Sequence, residues 1–170
     1  MSELAITVIG HDRPGIVADV AEALARLGAN LTDSTMTRLR GHFAMTLICT
    51  GPTAAEVEAA LAPLHADDRL LATVRTVGAD VEASRSGEAY VLAVHGADRL
   101  GIVAAVTRVV AEAGGNVTDL TTRLVGPLYV VIAELDLSPG TAAELTPRLA
   151  EVGAGLDVEI TLRPAESDLL

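Results

Sequence analysis

The chain has 170 residues with 12 basic and 23 acidic side chains, which gives a formal net charge of −11. All basic residues are arginine, so chemistry that needs a lysine, such as a Schiff base or a P-loop, is excluded. The acidic balance and the 2% aromatic content argue against direct nucleic-acid binding, which requires positive charge and stacking platforms.

The first fifty residues predict a strand, a helix and a hairpin. Apolar and other residues alternate over 4–9, the period of two that is typical of a strand. Apolar residues then recur at helical spacing, with Pro14 expected in the first turn of the helix and Gly28 expected to end it as a left-handed cap. A second strand over 30–40 turns and returns over 43–50.

A second helix and a closing strand complete the pattern. The helix is indicated by the sequence T-x-x-E from Thr53 to Glu56, in which the threonine and glutamate of a capping box satisfy each other's backbone donors. The closing strand is expected around Leu70 to Val77, with less regular alternation. The order is therefore strand, helix, strand, strand, helix, strand.

The rest of the sequence is a second copy of this unit. GHDRPGIVADV at 10–20 aligns with GADRLGIVAAV at 96–106, an offset of 96 − 10 = 86. After one extra residue in the first copy, TRLRG at 37–41 aligns with TRLVG at 122–126. Between these segments the offset of 86 also carries Gly28, Asn30, Thr32 and Asp33 onto Gly114, Asn116, Thr118 and Asp119. A repeat of this length predicts two domains.

Three features of the second copy carry their own expectations. Thr141 and Glu144 form another T-x-x-E sequence, which predicts a second capping box. Pro147 lies within that helix and is expected to shorten or kink it. The closing strand is expected at 156–163, with Leu156 and every second residue after it facing inward.

These elements predict an α+β protein made of two ferredoxin-like βαββαβ domains in tandem, each a four-stranded antiparallel sheet with two helices on one face. We expect domain 1 at 1–78, a linker at 79–87, domain 2 at 88–164 and a tail at 165–170. The strands are partly apolar on both faces, so the second sheet face needs a cover and a homodimer is expected.

The turns before the first helix of each copy are the candidate site. The first N–H groups of a helix lack intrahelical acceptors, and the helix dipole favours an anion there. Gly15 and Gly101 would let a carboxylate approach the main chain. Asn30 and Asn116 offer both a donor and an acceptor, which suits the amino and carboxylate groups of an amino acid.

Structural roles are open for the same residues. Asp12 and Asp98 are equally explained as helix caps, and the glycines could serve only a tight turn. The two asparagines follow a helix-ending glycine and could satisfy the exposed carbonyls of that turn. Arginines in such turns are most often solvated. The recurrence of the whole set at one spacing favours a binding role.

The sequence resembles the ACT-domain family in tandem arrangement, and is similar to the glycine cleavage system transcriptional repressor group. The residues that carry the resemblance are DRPGIV at 12–17, DRLGIV at 98–103, GANLTD at 28–33 and GGNVTD at 114–119. Leu100 stands where the family more commonly has a proline, as at Pro14. The resemblance implies amino-acid binding between paired domains, through the turn before the first helix and the start of the second strand.

Carried onto this sequence, the resemblance implies the ligand-binding residues Asp12, Arg13, Pro14, Gly15, Ile16, Val17, Asn30, Asp98, Arg99, Leu100, Gly101, Ile102, Val103 and Asn116. The expected function is a non-enzymatic regulator that binds a small amino acid and controls a partner, either a transcription regulator or a metabolic enzyme. The alternative is an assembly subunit of an amino-acid biosynthetic enzyme, without a ligand of its own.

Enzymatic function is not expected. The four histidines have no zinc-type spacing, and the single Cys49 lies in a predicted strand, where a small buried residue is the usual interpretation. No serine lies in a nucleophile elbow. We expect no cofactor, no metal, no membrane association and a cytoplasmic location, because no signal peptide or long apolar run is apparent.

Overall fold

The computed structural model of the chain describes residues 3–65, 70–78 and 87–165. The chain divides into two compact units, Met1–Val81 and Glu82–Leu170, which are described separately. The predicted linker at 79–87 and tail at 165–170 lie outside the described residues except for their end residues Gly87 and Ala165.

The first unit has one four-stranded antiparallel sheet in the order β2-β3-β1-β4. Its elements in chain order are β1 (Glu3–His11), α1 (Ile16–Arg26), β2 (Asn30–Leu39), β3 (His42–Thr50), α2 (Ala54–Leu61), a 3-10 turn (Ala62–His65) and β4 (Leu70–Val77).

The second unit repeats this topology in the order β6-β7-β5-β8. Its elements are β5 (Glu88–Ala97), α3 (Ile102–Glu112), β6 (Asn116–Val125), β7 (Leu128–Leu137), α4 (Thr141–Leu156) and β8 (Val158–Pro164). The predicted fold, two ferredoxin-like βαββαβ units in tandem, is confirmed. Within the described part of the chain, no helix is both long and apolar enough to cross a lipid bilayer.

Each core lies between one sheet face and its two helices. In β1 the buried residues are Leu4, Ile6 and Val8, as the alternation predicts, and they pack with Val20 and Leu24 of α1. The second unit has an equivalent core with one difference. Ala133 of β7 lies opposite Leu92, whereas the larger Leu47 of β3 lies opposite Ile6 in the first unit.

The smaller residue is accompanied by an apolar cleft in the second unit. The cleft lies between α3 and the sheet and has a free volume of about 10 Å³. Ala133, Val106 and Val117 are among its lining residues. The core of the second unit therefore leaves only about one water-sized gap next to α3.

The sheet face away from the helices is exposed in both units, but its chemistry differs. Across the first sheet, Thr35, Thr46, Thr7 and Thr73 form one row of exposed threonines. The matching row of the second sheet contains Thr121, Ile132, Ala93 and Thr161, so two of the four threonine positions carry apolar residues there. Only part of each face is apolar. Its exposed apolar side chains include Ile9, which is 47% exposed, and Ile132, which is 41% exposed. These are the side chains that the predicted cover would bury.

Two helix starts differ from their predictions. Gly15 is the N-cap of α1, so Pro14 precedes the helix and is not in its first turn. Gly140, with φ of 86°, is the N-cap of α4, and no side chain caps that helix. The capping box predicted at Thr141 is therefore wrong, because Thr141 is already the first helical residue. The capping box of Thr53 and Glu56 is confirmed, with both reciprocal bonds present.

The end of the second unit corrects two further predictions. Helix α4 has 16 residues against 8 in α2, so Pro147 does not shorten it. The proline removes one backbone hydrogen bond, but Leu145 and Leu149 are buried on either side of it and hold the helix on the sheet. Leu156 ends α4 instead of opening the last strand, which begins at Val158.

Candidate functional site

Each unit has a glycine turn between its first strand and its first helix. Gly15 has φ of 84° and Gly101 has φ of 88°, and each is the N-cap of the following helix. This left-handed conformation strains any residue with a β-carbon, so the tight-turn role of both glycines is confirmed. Because neither helix has a side-chain cap, the N–H groups of its first turn remain available.

The free donors can be named in both units. In α1 the first regular bond runs from the N–H of Asp19 to the carbonyl of Gly15, at 2.9 Å. Within the described residues, the N–H groups of Val17 and Ala18 have no protein acceptor. The first regular bond of α3, from Ala105 to Gly101, also measures 2.9 Å. Both helix starts can therefore donate to a bound anion.

The aspartates of the turns do not act as helix caps, which corrects the structural alternative considered for them. Asp12 instead ties the turn to the β2–β3 hairpin. Its N–H donates to the carbonyl of Gly41 at 2.9 Å, and its Oδ2 accepts from Nη1 of Arg38 at 3.3 Å. Asp98 has no side-chain bond among the described residues.

The arginines of the two turns have different partners. Arg13 Nη2 donates to Oδ2 of Asp19 at 2.6 Å, and its Nη1 would lie 4.0 Å from a β-carbon placed on Gly15. Arg99 Nη2 donates to Oδ2 of Asp157 at 2.9 Å, at the junction of α4 and β8. The guanidinium therefore lies over the glycine in the first unit and is drawn away from it in the second.

The second turn is more accessible as a result. Nothing lies within 4 Å of a β-carbon placed on Gly101, and Leu100 is fully exposed. Ile16 and Ile102 are buried in the two cores, so the side chains of these two predicted site residues are part of the packing. Val17 is 40% exposed, and Val103 is half-buried and packs against the second core.

The two asparagines do not lie beside the glycine turns of their own units. Asn30 begins β2 and pairs with Thr50, whereas the turn follows His11, which pairs with His42 next to Leu39 at the other end of the sheet. Nine residue steps of about 3.3 Å separate Asn30 from Leu39, roughly 30 Å in all. The same register separates Asn116 from the second turn. A single unit therefore cannot hold one small ligand with both groups.

The asparagine side chains are nevertheless available for binding. Both residues are exposed, and neither side chain makes a hydrogen bond to another described residue. The suggestion that they satisfy the carbonyls of the helix end is therefore wrong. Those carbonyls are bonded by backbone groups, since the N–H of Ala29 reaches Leu24 at 3.1 Å and that of Gly115 reaches Val110 at 2.9 Å.

Each half of the candidate site opens on a surface depression. In the first unit, His11, Asp12 and Arg13 line a depression with Pro63 and Leu64 of the 3-10 turn. In the second unit, Asn116 lies in a groove beside α3 that Thr107, Arg108 and Ala111 also line. The first depression can accept a small polar molecule beside the turn of its unit, and the second can accept one beside Asn116.

A repeated β-bulge beside the asparagines was not predicted. The pairing register shifts between Leu31 and Asp33 and again between Val117 and Asp119, so Thr32 and Thr118 are the extra residues. The hydroxyl of Thr32 donates to the carbonyl of Ile48 at 3.3 Å. A bulge redirects the side chains around it. The repeated N-x-T-D sequence was the signal, because it placed matching polar residues in both copies.

The remaining chemistry-bearing groups do not form a catalytic or metal cluster in the described parts of the chain. Cys49 is buried, and burial raises the pKa of its thiol. Three or more histidine, cysteine or acidic side chains do not converge anywhere among these residues. The pKa of the Glu56 carboxyl is lowered by its hydrogen bonds from Thr53, which is a capping effect.

Comparisons with known proteins agree with this architecture. The ACT domain family model matches the chain twice, at residues 2–84 and 88–162. A crystal structure of an unknown protein from Galdieria sulphuraria is 28% identical with a TM-score of 0.82, and the match covers 96% of this chain and 98% of that one. A crystal structure of a "putative glycine cleavage system transcriptional repressor" has a TM-score of 0.71 at 20% identity, covering 95% and 96%, and shows the shared fold.

Curated sequence relatives match a shorter segment. A UPF0237 protein of Methanopyrus kandleri is 48% identical over 48 residues, which is 28% of this chain and 53% of that protein. A UPF0237 protein of Listeria monocytogenes is 46% identical over 44 residues, 26% of this chain and 49% of that protein. The chain thus spans about half the length of these relatives. Because the family model covers both units, this chain belongs to the ACT domain family and carries two ACT domains in tandem.

Proposed function

We propose that this chain is a non-enzymatic regulatory protein that binds a small amino acid through its ACT domains and thereby controls a partner protein. The observation that carries the proposal is the pair of glycine turns with uncapped helix starts, at matching positions in both domains. An α-carboxylate suits such a start because it accepts from several N–H groups and carries the charge that the dipole favours.

The proposed site is shared between two copies of the chain. Since the turn and the asparagine of one domain lie about 30 Å apart along the sheet, a small zwitterion can contact both kinds of group only if they come from different domains. We assign the carboxylate to the turn of one domain, Asp12–Val17 or Asp98–Val103, and the amino group to Asn30 or Asn116 of another domain. We place that other domain in a second copy of the chain. The proposal therefore includes a homodimer.

The expected affinity is modest. Two or three charge-assisted hydrogen bonds of about 1.5–3 kcal/mol each give roughly 5 kcal/mol, which corresponds to a dissociation constant near 0.1–1 mM. Such a range suits a sensor of metabolite concentration. The proposed partner is a transcription regulator or an enzyme of amino-acid metabolism in the cytoplasm, and affinity capture with and without the amino acid would distinguish them.

A thermal-shift screen with the twenty amino acids tests the proposal, because a ligand that binds the native state raises its melting temperature. Calorimetric titration of the active compound then compares the wild type with Asn30→Ala and Asn116→Ala. We expect each variant's own site to weaken about tenfold or more, since one to two charge-assisted bonds are lost. Ser34→Ala, on the same strand as Asn30, is the matched control and should bind normally. Unchanged titrations for both asparagine variants would remove these residues from the site.

A further inference from the structure

Two histidines of the first domain lie side by side on adjacent strands. His11 ends β1 and His42 begins β3, and the two are paired directly in the antiparallel register. Their ring centroids are 5.2 Å apart with an angle of 33° between the ring planes, and both residues are exposed. Neither residue belongs to the proposed amino-acid ligand set, although His11 immediately precedes the first glycine turn and lines the depression beside it.

The separation of the rings allows both imidazoles to bind one metal ion. A zinc–nitrogen bond of about 2.1 Å plus about 1.1 Å from nitrogen to ring centre places each centroid about 3.2 Å from the metal. At a tetrahedral angle the two centroids are then about 5.2 Å apart. Imidazole nitrogens are ligands that suit zinc, nickel and copper.

The second domain provides an internal comparison. The corresponding pair in its register is Ala97 on β5 and Leu128 on β7. The repeat therefore does not require histidine at these positions for folding. His95 of the second domain contacts Glu159 at 3.0 Å and has no histidine opposite it, since it pairs with Val130 and Glu159.

The surroundings leave the pair open on the solvent side. Leu39 continues the same cross-strand row, and the nearby Arg38 is bound by the carboxylate of Asp12 at 3.3 Å. No third histidine, cysteine or carboxylate joins the pair among the residues that the structure describes. The protein would thus supply two ligands, and the other positions remain for water or small-molecule donors.

We infer that His11 and His42 form a two-histidine binding site for an exchangeable divalent transition-metal ion of the zinc, nickel or copper type. The inference does not depend on amino-acid binding, because it rests on a cross-strand pair that the second domain lacks. The site lies next to the turn at Asp12, so a bound ion would add positive charge beside one of the two turns only.

The test is calorimetric titration of the untagged full chain with zinc sulfate. We expect about one zinc ion per chain in the wild type and a loss of affinity of at least about tenfold in both His11→Ala and His42→Leu, since even indirect metal partners carry effects of this size. These substitutions introduce the residues that the second domain has at the same positions. The control His95→Ala should bind zinc as the wild type does.

A spectroscopic readout distinguishes chelation from binding by single histidines. With one equivalent of copper(II), the electron paramagnetic resonance spectrum of the wild type should show coupling to two nitrogens, and that of either variant should not. Circular dichroism confirms that the variants are folded. Absence of zinc binding in the wild type, or equal binding in the wild type and both variants, would overturn the inference.

Discussion

The two ACT domains share one backbone plan but surround their glycine turns differently. In the first domain Arg13 donates a hydrogen bond to Asp19 of α1 and lies over Gly15. Asp12 accepts a hydrogen bond from Arg38 of the neighbouring β2–β3 hairpin. In the second domain Arg99 is drawn to Asp157, Gly101 is open and Leu100 is fully exposed. The residues that recur in both domains thus preserve the free N–H donors of the helix start. The arginine partners, Asp19 and Asp157, differ between the domains and determine how accessible those donors are.

The two cores also share a backbone plan but differ in a side chain at a corresponding position. Leu47 fills the position next to α1 in the first domain, whereas Ala133 stands beside the apolar cleft next to α3 in the second. Because each domain has its own core, we expect the two domains to unfold separately, and matched substitutions can test this. Tyr90 and Tyr129 are the only two tyrosines and both belong to the second domain, so tyrosine fluorescence reports its unfolding alone.

The largest expected difference comes from the cores. Leu47→Ala should destabilise the first domain by about 2–5 kcal/mol, because a fully buried leucine is truncated. Ala133→Val should destabilise the second domain by about 1–3 kcal/mol, because two added carbons do not fit the roughly 10 Å³ of free space beside it. Urea denaturation should show the first change by circular dichroism and the second by tyrosine fluorescence. A fluorescence midpoint that moves with Leu47→Ala would contradict separate unfolding.

The glycine turns should respond equally, because their strain is in the backbone. Gly15→Ala and Gly101→Ala place a β-carbon at φ of 84° and 88°, at a cost of about 1–2 kcal/mol each. Thermal unfolding measures both. A substitution that costs nothing at either position would show that the turn does not need its left-handed conformation.

Substitutions at the second helix of each domain should have different effects on stability. Thr53→Ala removes a side-chain bond to the N–H of Glu56 and should cost about 1 kcal/mol. Thr141→Ala should leave stability unchanged or slightly raised, because Thr141 makes no cap and alanine has a higher helix propensity than threonine. Equal losses in urea denaturation would mean that Thr141 acts as a cap in solution.

The smallest effect is a pH dependence confined to the first domain. Hydrogen bonds from Thr53 lower the pKa of Glu56 in the folded state, so its contribution is fully present above the unfolded pKa and is lost as the pH falls through the folded pKa. The melting temperature of Glu56→Gln should therefore approach that of the wild type at acidic pH. A difference between Glu56→Gln and the wild type that persists undiminished at acidic pH would contradict the assignment.

Much of the fold follows from periodicity and from the repeat. The alternation over β1 and the helix-ending glycines, Gly28 with φ of 70° and Gly114 with φ of 76°, are local signals that the structure confirms. The cap at Thr141 was mispredicted because the threonine of a T-x-x-E sequence can be either the N-cap or the first residue of the helix. In α4 it is the first residue, since Gly140 is the N-cap with a positive φ. Pro147 inside α4 indicated a shortened helix, but the packing of the buried Leu145 and Leu149 keeps the helix at full length.

The candidate site was less predictable because its parts are related by topology. Sequence recurrence identified the turns and the asparagines, but only the sheet register shows that Asn30 and the turn at Asp12 lie at opposite ends of one domain. The pairing of His11 with His42 is likewise visible only in the register. Residues distant in sequence must be placed by strand pairing before their chemistry can be combined.

The central claim is that amino-acid carboxylates bind at the glycine turns of paired ACT domains. Titration calorimetry of the assembled wild-type chain against each of the twenty amino acids tests it most directly. The account predicts saturable binding of at least one small amino acid near 0.1–1 mM, weakened about tenfold or more when Asn30 and Asn116 are both replaced by alanine. Flat titrations for all twenty compounds on dimeric protein would contradict it.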